Sequence, residues 1–393
     1  MKILFVSHGG RRNGGAQNVL YALMKHAATL FDCHCLFPEN GQFAESVVAL
    51  GITPHVVRFN WWAGFELDSL YKISNFCMNL HKSVDAVVSI INKNKIDMVI
   101  SNTVVMAEGA FAAQQCNIPH IWYIHEILSK DPKLKHLVKL EFLYPLMLSM
   151  SHALVGVSNA VKKEITDYLD LANKERDAVQ GEGSPLKFPL DKIHVVHNGV
   201  PIPASCPEIN SNNTVLSVGG ICRRKGQMTL LRAARLVLDE IPSVQFRLAG
   251  SFWENGYRRE LLDERAKLDI GKKFAFEKWQ IDMDAFYSSG GILVSPSTCE
   301  SFGLSLLEGM THGLPVVATD SGGPSEIVEH GKTGFLTPID DIKGLADHII
   351  FLLKNKHVGK EMGRVGFERA KNNFSEQIFV DGFMKIIRQG GRI

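Results

Sequence analysis

Apolar positions along the chain fall into two alternating rhythms. Short, nearly continuous apolar runs rich in Val, Ile and Leu stand at residues 2–6, 33–37, 55–58, 97–101, 118–124 and 153–157. Such runs suit strands buried on both faces of a parallel sheet. Between them the apolar residues come three and four apart, at 16–30, 42–50, 70–94, 105–116, 135–150 and 159–167, which predicts helices. Alternation of this kind predicts a doubly wound α/β domain. Residues 170–190 are polar, carry Gly181, Gly183 and Pro185, and read as a surface insertion. Pro201, Pro203, Pro207 and the polar run 210–213 then read as an interdomain linker. The alternation restarts beyond it. Strands are expected at 215–218, 246–250, 290–294 and 316–318, with a helix from Leu304 to Met310 closed by Gly313. A tight turn follows over 331–336, and helices run to the end, the last over 374–388.

A chain of 393 residues exceeds one ordinary core and suits two domains. Hydrophobic residues at 45% and charged residues at 21% describe a globular protein, and a net charge of +2 gives no field for nucleic acid. The seven cysteines include no C-x-x-C pair and read as reduced thiols of a cytoplasmic protein. Cys33-His34-Cys35 is no metal site if alternate strand residues point to opposite faces. The apolar run at the N-terminus is too short for a signal peptide. Residues 142–161 lack formal charge but are interrupted by Pro145, Ser149, Ser151 and His152, so a buried helix and strand explain them better than a membrane span.

Three loops carry the candidate chemistry. After the first strand, His8-Gly9-Gly10-Arg11-Arg12-Asn13-Gly14-Gly15 leads into a helix, the layout that cradles phosphate, although not with dinucleotide-fingerprint spacing. Gly219-Gly220-Ile221-Cys222-Arg223-Arg224-Lys225-Gly226 repeats the layout with three adjacent cations, either a diphosphate clamp or a solvated basic turn. In the third, Pro296 stops a strand, Glu300 sits in the loop and Glu308 within the next helix. That helix begins near Phe302-Gly303-Leu304, offering backbone N–H groups, a positive dipole end and close approach at Gly303. Carboxylates accept from hydroxyls while the helix end meets an anion, which suits a polyol carrying phosphate. Two solvated glutamates on a surface unit are the alternative.

Other positions are weighed singly. His125 ends a strand, where ligands of such sheets sit, or is a loop histidine tied to backbone. Ser158 reads first as a helix cap. Asp282-Met283-Asp284 looks like a D-x-D metal motif, but it precedes a helix, so one Asp reads as a cap. The cluster Phe59, Trp61, Trp62 and Phe65 suits sugar rings or lipid, or packs beneath a loop. Lys133, Lys135 and Lys139 among leucines, leading into 142–148, suggest a basic amphipathic helix lying on an anionic membrane over 130–148, or a core helix with a basic edge.

The third loop, with Pro296-Ser297, Glu300, Ser301-Phe302-Gly303-Leu304, Glu308 after seven intervening residues, Gly313-Leu314-Pro315-Val316-Val317, Gly322-Gly323 and Glu326, resembles the signature of the family 4 retaining glycosyltransferases. The likeness spans nearly the whole chain, best over 214–336 and weakest over 40–120. It implies the GT-B fold, two Rossmann-like doubly wound domains facing an interdomain cleft. Residues 1–200 with a crossover helix at 375–393 would form the acceptor-side domain, and 201–374 the donor domain. In this family the loop glycines matched by Gly14 and Gly15, with Gln17, face the donor diphosphate and sugar. The histidine matched by His125 contacts the sugar. Glu308 would bind ribose hydroxyls, and Glu300 with the backbone of Phe302, Gly303 and Leu304 the sugar. Lys225 and an arginine would stabilise the leaving diphosphate. Here the chain departs from the family, since Gly219-Gly220 replaces the usual Gly-Arg, leaving Arg224 as substitute and Arg223 as second candidate. Lys278 also replaces a base-binding glycine, with Trp279 beside it to stack on the base or wall its pocket.

The resemblance therefore implies a nucleotide-diphosphate sugar co-substrate, UDP first and GDP second, with no metal or other cofactor. The acceptor would be a hydroxyl of a glycan or lipid-linked molecule in cell-surface polysaccharide or glycolipid synthesis, met by Trp61, Trp62 and Ser158. A sugar-nucleotide epimerase of the same fold and a non-catalytic nucleotide-sugar-binding partner are the two other readings.

Overall fold

Ile3, Leu4, Phe5 and Val6 are fully shielded from solvent, which is what a continuous apolar strand needs at the centre of a sheet covered on both faces. In the computed structural model they belong to β1, Lys2–Val6. The structure describes residues 1–391 except 12–13, 60, 65–69, 132–134, 181–187, 209–211 and 280–281, and excepting the side chains of 63–64, 70–73, 135 and 179–180. The chain divides into two units, Met1–Gly199 with Gln377–Ile393, and Val200–Glu376.

In the first unit β1 is followed by α1 (Gly15–Ala27), β2 (Asp32–Phe37), α2 (Gln42–Val48), β3 (Thr53–Val56), β4 (Ala63–Gly64), α3 (Leu70–Asn94) and β5 (Met98–Asn102). Then come α4 (Glu108–Gln115), β6 (His120–Ile124), β7 (Lys135–His136), α5 (Leu140–Ser149), β8 (Ala153–Gly156), α6 (Asn159–Gln180) and β9 (Ile193–Val195). Among the described residues seven strands form one parallel sheet in the order β3-β2-β1-β5-β6-β8-β9. The chain runs outward from β1 in one direction, then returns to β5 and runs in the other. The carboxyl ends of β1 and β5 are therefore the topological switch point, where open α/β sheets bind ligands.

The second unit holds β10 (Thr214–Val218), α7 (Gln227–Glu240), β11 (Gln245–Ala249), α8 (Tyr257–Lys267), β12 (Phe274–Glu277), α9 (Met283–Ser288), β13 (Ile292–Ser295) and α10 (Leu304–Thr311). β14 (Val316–Thr319), α11 (Pro324–Ile327), β15 (Gly334–Thr337), α12 (Ile342–Lys354), α13 (Lys356–Asn373) and α14 (Glu376–Gly390) follow. Its described strands are parallel, in the order β12-β11-β10-β13-β14-β15. Here the switch lies between β10 and β13, below the basic loop and the Glu300 loop. From Gln377 onward α14 belongs to the first unit, where Phe379 and Phe383 pack on Tyr123 with ring centroids 6.1 and 4.8 Å away.

Three expectations need correction. The helix expected from 135 starts at Leu140; Lys135–His136 instead pair antiparallel with Ala63–Gly64, so no helix covers 135–139. Lys133 and the side chain of Lys135 lie outside the described residues. The stretch taken as an insertion from 170 is helical to Gln180, as the helix formers Leu171, Ala172, Lys174, Glu175 and Arg176 allow. Gly334 and the residues after it, expected as a turn, form β15, because they extend the sheet edge beside β14. The Cys33-His34-Cys35 run is in β2, and His34 Nδ1 meets His55 Nε2 at 3.0 Å. Among the described residues no helix is long and apolar enough to cross a membrane, and all seven cysteines are free thiols.

The two switch-point loops of the second unit are packed without slack. Gly226 has φ +67°, and a Cβ there would lie 1.8 Å from the carbonyl oxygen of Pro296. Gly226→Ala combines a left-handed backbone with a backbone clash and should destabilise the protein by about 2 kcal/mol or more. Urea unfolding checks this; a loss below about 0.5 kcal/mol would mean that the loops separate freely.

Candidate active site

Lys225 closes a 3₁₀ turn, Arg223–Lys225, that carries the chain from β10 to α7. Its ammonium pairs with Glu300 Oε2, and Ser297 Oγ donates to the same oxygen at 3.5 Å. Glu300 is only 8% exposed. Burial alone would push its carboxyl up, but Lys225 and Arg224 outweigh that and hold it below the usual carboxylate range. Arg224 Nη1 donates to the carbonyl of Cys299 at 3.0 Å, and the N–H of Thr298 donates to the carbonyl of Arg224 at 2.8 Å. Arg223 turns elsewhere, onto Glu260 and, at 3.6 Å, Glu254. Both pairs engage Arg223, the second candidate for the clamp.

The backbone of Glu300 is fixed from the β14 side. Its N–H donates to Ser321 O at 3.2 Å, and its carbonyl accepts from Gly323 N at 2.8 Å. Any Cβ on Gly323 would stand 2.2 Å from Phe302 Cα, which explains a glycine there. Phe302 is buried, edge-on to Phe374 at 5.9 Å. Gly303, at φ +114°, then turns the chain into α10, which begins at Leu304. Glu308 lies on α10 and accepts from the Tyr287 hydroxyl at 2.6 Å. Burial raises its pKa, the Tyr287 bond offsetting part of the rise. Asp282 caps α9 by accepting from Ala285 N at 2.9 Å, while Asp284 Oδ1 lies 3.2 Å from His312 Nε2. Among the described residues no cluster of three metal-ligating side chains occurs. Lys278 and Trp279 follow β12, with Trp279 51% exposed.

At the first unit's switch point, Gly14 precedes α1 as its N-cap and Gly15 is its first residue. Gln17 Nε2 lies 2.7 Å from His8 Nε2. His125 follows β6; burial, then nearby His8, lowers its pKa to about 3, so the ring is neutral. Its Nε2 lies 2.8 Å from Asn102 Oδ1. Trp61 donates from Nε1 to the carbonyl of His8 at 3.3 Å.

Two acceptor-side candidates are buried, and Ser158 takes the capping role first read for it. Trp62 is 4% exposed, stacked on Trp122 at 5.8 Å with its Nε1–H given to Val104 O, and is a core residue. Ser158 is fully buried and caps α6 by accepting from Val161 N at 3.1 Å. Phe65 of that aromatic cluster lies outside the described residues. Sequence reasoning missed Asn102 and Tyr287, and named Ser297 only as part of the signature. Asn102 ends a strand at the switch point, a signal that could have found it; a helix tyrosine before a buried strand gives none.

Two parallel-sheet units, each with a glycine loop and helix N-terminus at its switch point, fit the GT-B fold of glycosyltransferases. The chain belongs to the family 4 glycosyltransferases: residues 13–202 match the "Glycosyltransferase Family 4" model and residues 203–369 the "Glycosyl transferases group 1" model. Over 158 residues it is 30% identical to a 2-deoxystreptamine N-acetyl-D-glucosaminyltransferase of Niallia circulans, covering 39% of this chain and 40% of that protein. It is 28% identical over 186 residues to the lipopolysaccharide core biosynthesis glycosyltransferase LpsE of Rhizobium meliloti, covering 47% and 51%. The chain thus spans about half the length of the curated relatives it matches. The fold is that of Anabaena HepE, solved in complex with UDP and glucose, at TM-score 0.77 and 21% identity over 98% of this chain and 99% of that one.

The Lys225–Glu300 pair makes stability depend on pH. A carboxyl held below its ordinary pKa contributes stability that is present above the unfolded value near 4.5 and lost as pH falls through the folded value. In Lys225→Met, burial would instead raise the Glu300 pKa. At pH 7 that variant should be less stable by about 2 kcal/mol, under the range for fully buried pairs because Lys225 keeps some solvent contact. The gap should narrow below neutrality and close once the pH falls through the depressed pKa that Glu300 has in the wild type, where it is protonated in both proteins. Urea titrations across pH 3–8 check this, and a gap constant with pH would show that Glu300 is not the group involved.

Proposed function

We propose that the chain transfers a sugar from a nucleotide-diphosphate donor to an acceptor hydroxyl with retention at the anomeric carbon. The observation that carries this reading is the buried Lys225–Glu300 pair at the second unit's switch point, with Arg224 beside it and Glu308 on the following helix. Lys225 and Arg224 stabilise charge developing on the leaving diphosphate, where preorganised cations act most strongly. Glu300 and the backbone at Phe302, Gly303 and Leu304 hold the sugar. Glu308 accepts from ribose hydroxyls through the oxygen that Tyr287 does not engage. Trp279 offers the base a stacking face, and Lys278 stands beside it. In the first unit Gly14, Gly15 and His125 are the family's sugar- and diphosphate-facing set. The bond from the anomeric carbon to the phosphate oxygen breaks. The acceptor oxygen bonds the same face, and its proton passes to the departing phosphate.

UDP is the favoured nucleotide, supported by HepE having been solved with UDP. A cell-surface glycan or glycolipid acceptor is supported by the relative in lipopolysaccharide core synthesis. Trp61 remains the acceptor-side candidate. Cations take the role a divalent metal would have, so no cofactor is proposed. Thermal shift with a panel of nucleotide sugars, followed by turnover, tests the reading; a ligand at 100 times its Kd adds about 2.7 kcal/mol. Lys225→Ala should lower kcat at least about tenfold, the worth of a charge-assisted phosphate contact. Glu308→Ala should mainly raise the donor KM, since ribose contacts change little in the transition state. Activity should survive EDTA. Near-normal turnover in Lys225→Ala, or activity lost to EDTA and restored by Mg²⁺, would overturn the clamp.

We further place the protein in the cytoplasm, on the inner membrane face. The support is narrower than the sequence suggested: Lys139 and Phe142, the latter 60% exposed, stand at the start of α5. Wild type should sediment with anionic vesicles at low salt, and a Lys139→Glu/Phe142→Ser variant should sediment less. If wild type stays in the supernatant with and without anionic lipid, a soluble acceptor is the better reading.

A further inference from the structure

We propose that Asn102 is a positioning residue that fixes His125 as a hydrogen-bond acceptor toward a hydroxyl of the donor sugar. The inference rests on the transfer reading for its ligand and on the ligand-free geometry for its mechanism.

Asn102 ends β5 at the first unit's switch point and is fully buried. Its amide makes two contacts, Nδ2 to the carbonyl of Ala16 at 3.2 Å and Oδ1 to His125 Nε2 at 2.8 Å. A backbone carbonyl only accepts, so the NH₂ group must face Ala16 and the amide oxygen must face His125. An amide oxygen also only accepts, so the proton of the histidine must sit on Nε2. The neutral ring then has one nitrogen left, Nδ1, and it carries a lone pair. Burial keeps the ring in this neutral form.

The backbone on the other side of Asn102 prevents the amide from relaxing. Thr103 has φ +81°, a left-handed conformation rare for a β-branched residue. It is held by its N–H donating to Tyr123 O at 2.8 Å and by its carbonyl accepting from Trp122 Nε1 at 2.8 Å. Thr103 Oγ1 is buried without a hydrogen-bond partner. A strained, over-determined turn of this kind is characteristic of functional positions. It sets the end of β5 where one side chain reaches both the first turn of α1 and the residue after β6.

The consequence is chemical. A lone pair at Nδ1 attracts a hydroxyl and repels phosphate oxygens. His125 therefore meets the sugar and not the diphosphate, and it cannot serve as a general acid. Asn102 acts through it without touching substrate.

The tautomer can be read directly on the free, full-length protein by ¹H–¹⁵N spectroscopy of its histidine rings, with His125→Gln assigning the signal. One protonated Nε2 and one unprotonated Nδ1 are expected in wild type. Asn102→Ala should leave a mixture of tautomers and raise the donor KM about fivefold, the worth of one hydrogen bond, with a smaller effect on kcat. Asn102→Asp keeps the acceptor toward His125 and loses the donor toward Ala16, so it should retain the Nε2–H form and recover part of the KM. A wild-type His125 protonated on Nδ1 or exchanging between forms would overturn the proposal without any variant. So would an Asn102→Ala protein that keeps both tautomer and KM. The spectra need no donor, so failure to turn over any nucleotide sugar would sink the transfer reading alone.

Discussion

The ion pair between Lys225 and Glu300 ties together the loops that leave two neighbouring central strands, β10 and β13. A carboxylate so little exposed would take up a proton if it stood alone. Its charge persists because two cations converge on it from the facing loop. The loops in turn keep their distance because Gly226 lies against Pro296 and Thr298 holds the carbonyl of Arg224. Backbone packing thus sets the separation, and the separation keeps the site charged. On the transfer reading, a phosphate arriving at Lys225 would compete with Glu300 for the same ammonium, so donor binding would rearrange a preformed pair.

At the first unit's switch point the two histidine rings are neutral. His8 and His125 have lowered pKa values, to about 4 and about 3, burial being the main cause in each. Amides of Gln17 and Asn102 contact their rings at hydrogen-bond distance. Neutral donors and acceptors suit hydroxyls, while the charged loops of the second unit suit a diphosphate. The division of chemistry follows from which residue types end β1, β5 and β6 and which end β10 and β13.

Much of this was legible in the residues. Continuous apolar runs located the central strands, because a strand covered on both faces tolerates little else. The glycines of 219–226 and 296–303 marked backbone that must bend left or approach closely, and the carboxylates and cations stood beside them. Features set by tertiary contact were hidden. Lys135 and His136 have no strand pattern and become one only by pairing with Ala63 and Gly64. Trp62 and Trp61 are neighbours in sequence, yet one lies in the core on Trp122 and the other contacts the His8 loop. Asn102 looks like any polar residue after a strand until Ala16 and His125 are seen on either side of it.

The assignment of α14 to the first unit bears on how the chain acquires its fold. Tyr123 lies on β6 of the first sheet, and two of its aromatic neighbours, Phe379 and Phe383, come from a helix made after the whole second unit. Residues 200–376 form a continuous segment and can close their core as soon as they are synthesised. The first unit emerges earlier but must wait, its apolar surface around Tyr123 uncovered while the second unit is translated. Domains usually fold in the order in which they are made. Here the unit synthesised second is the one able to finish first, and the waiting unit is where a nascent chain would most need protection from aggregation.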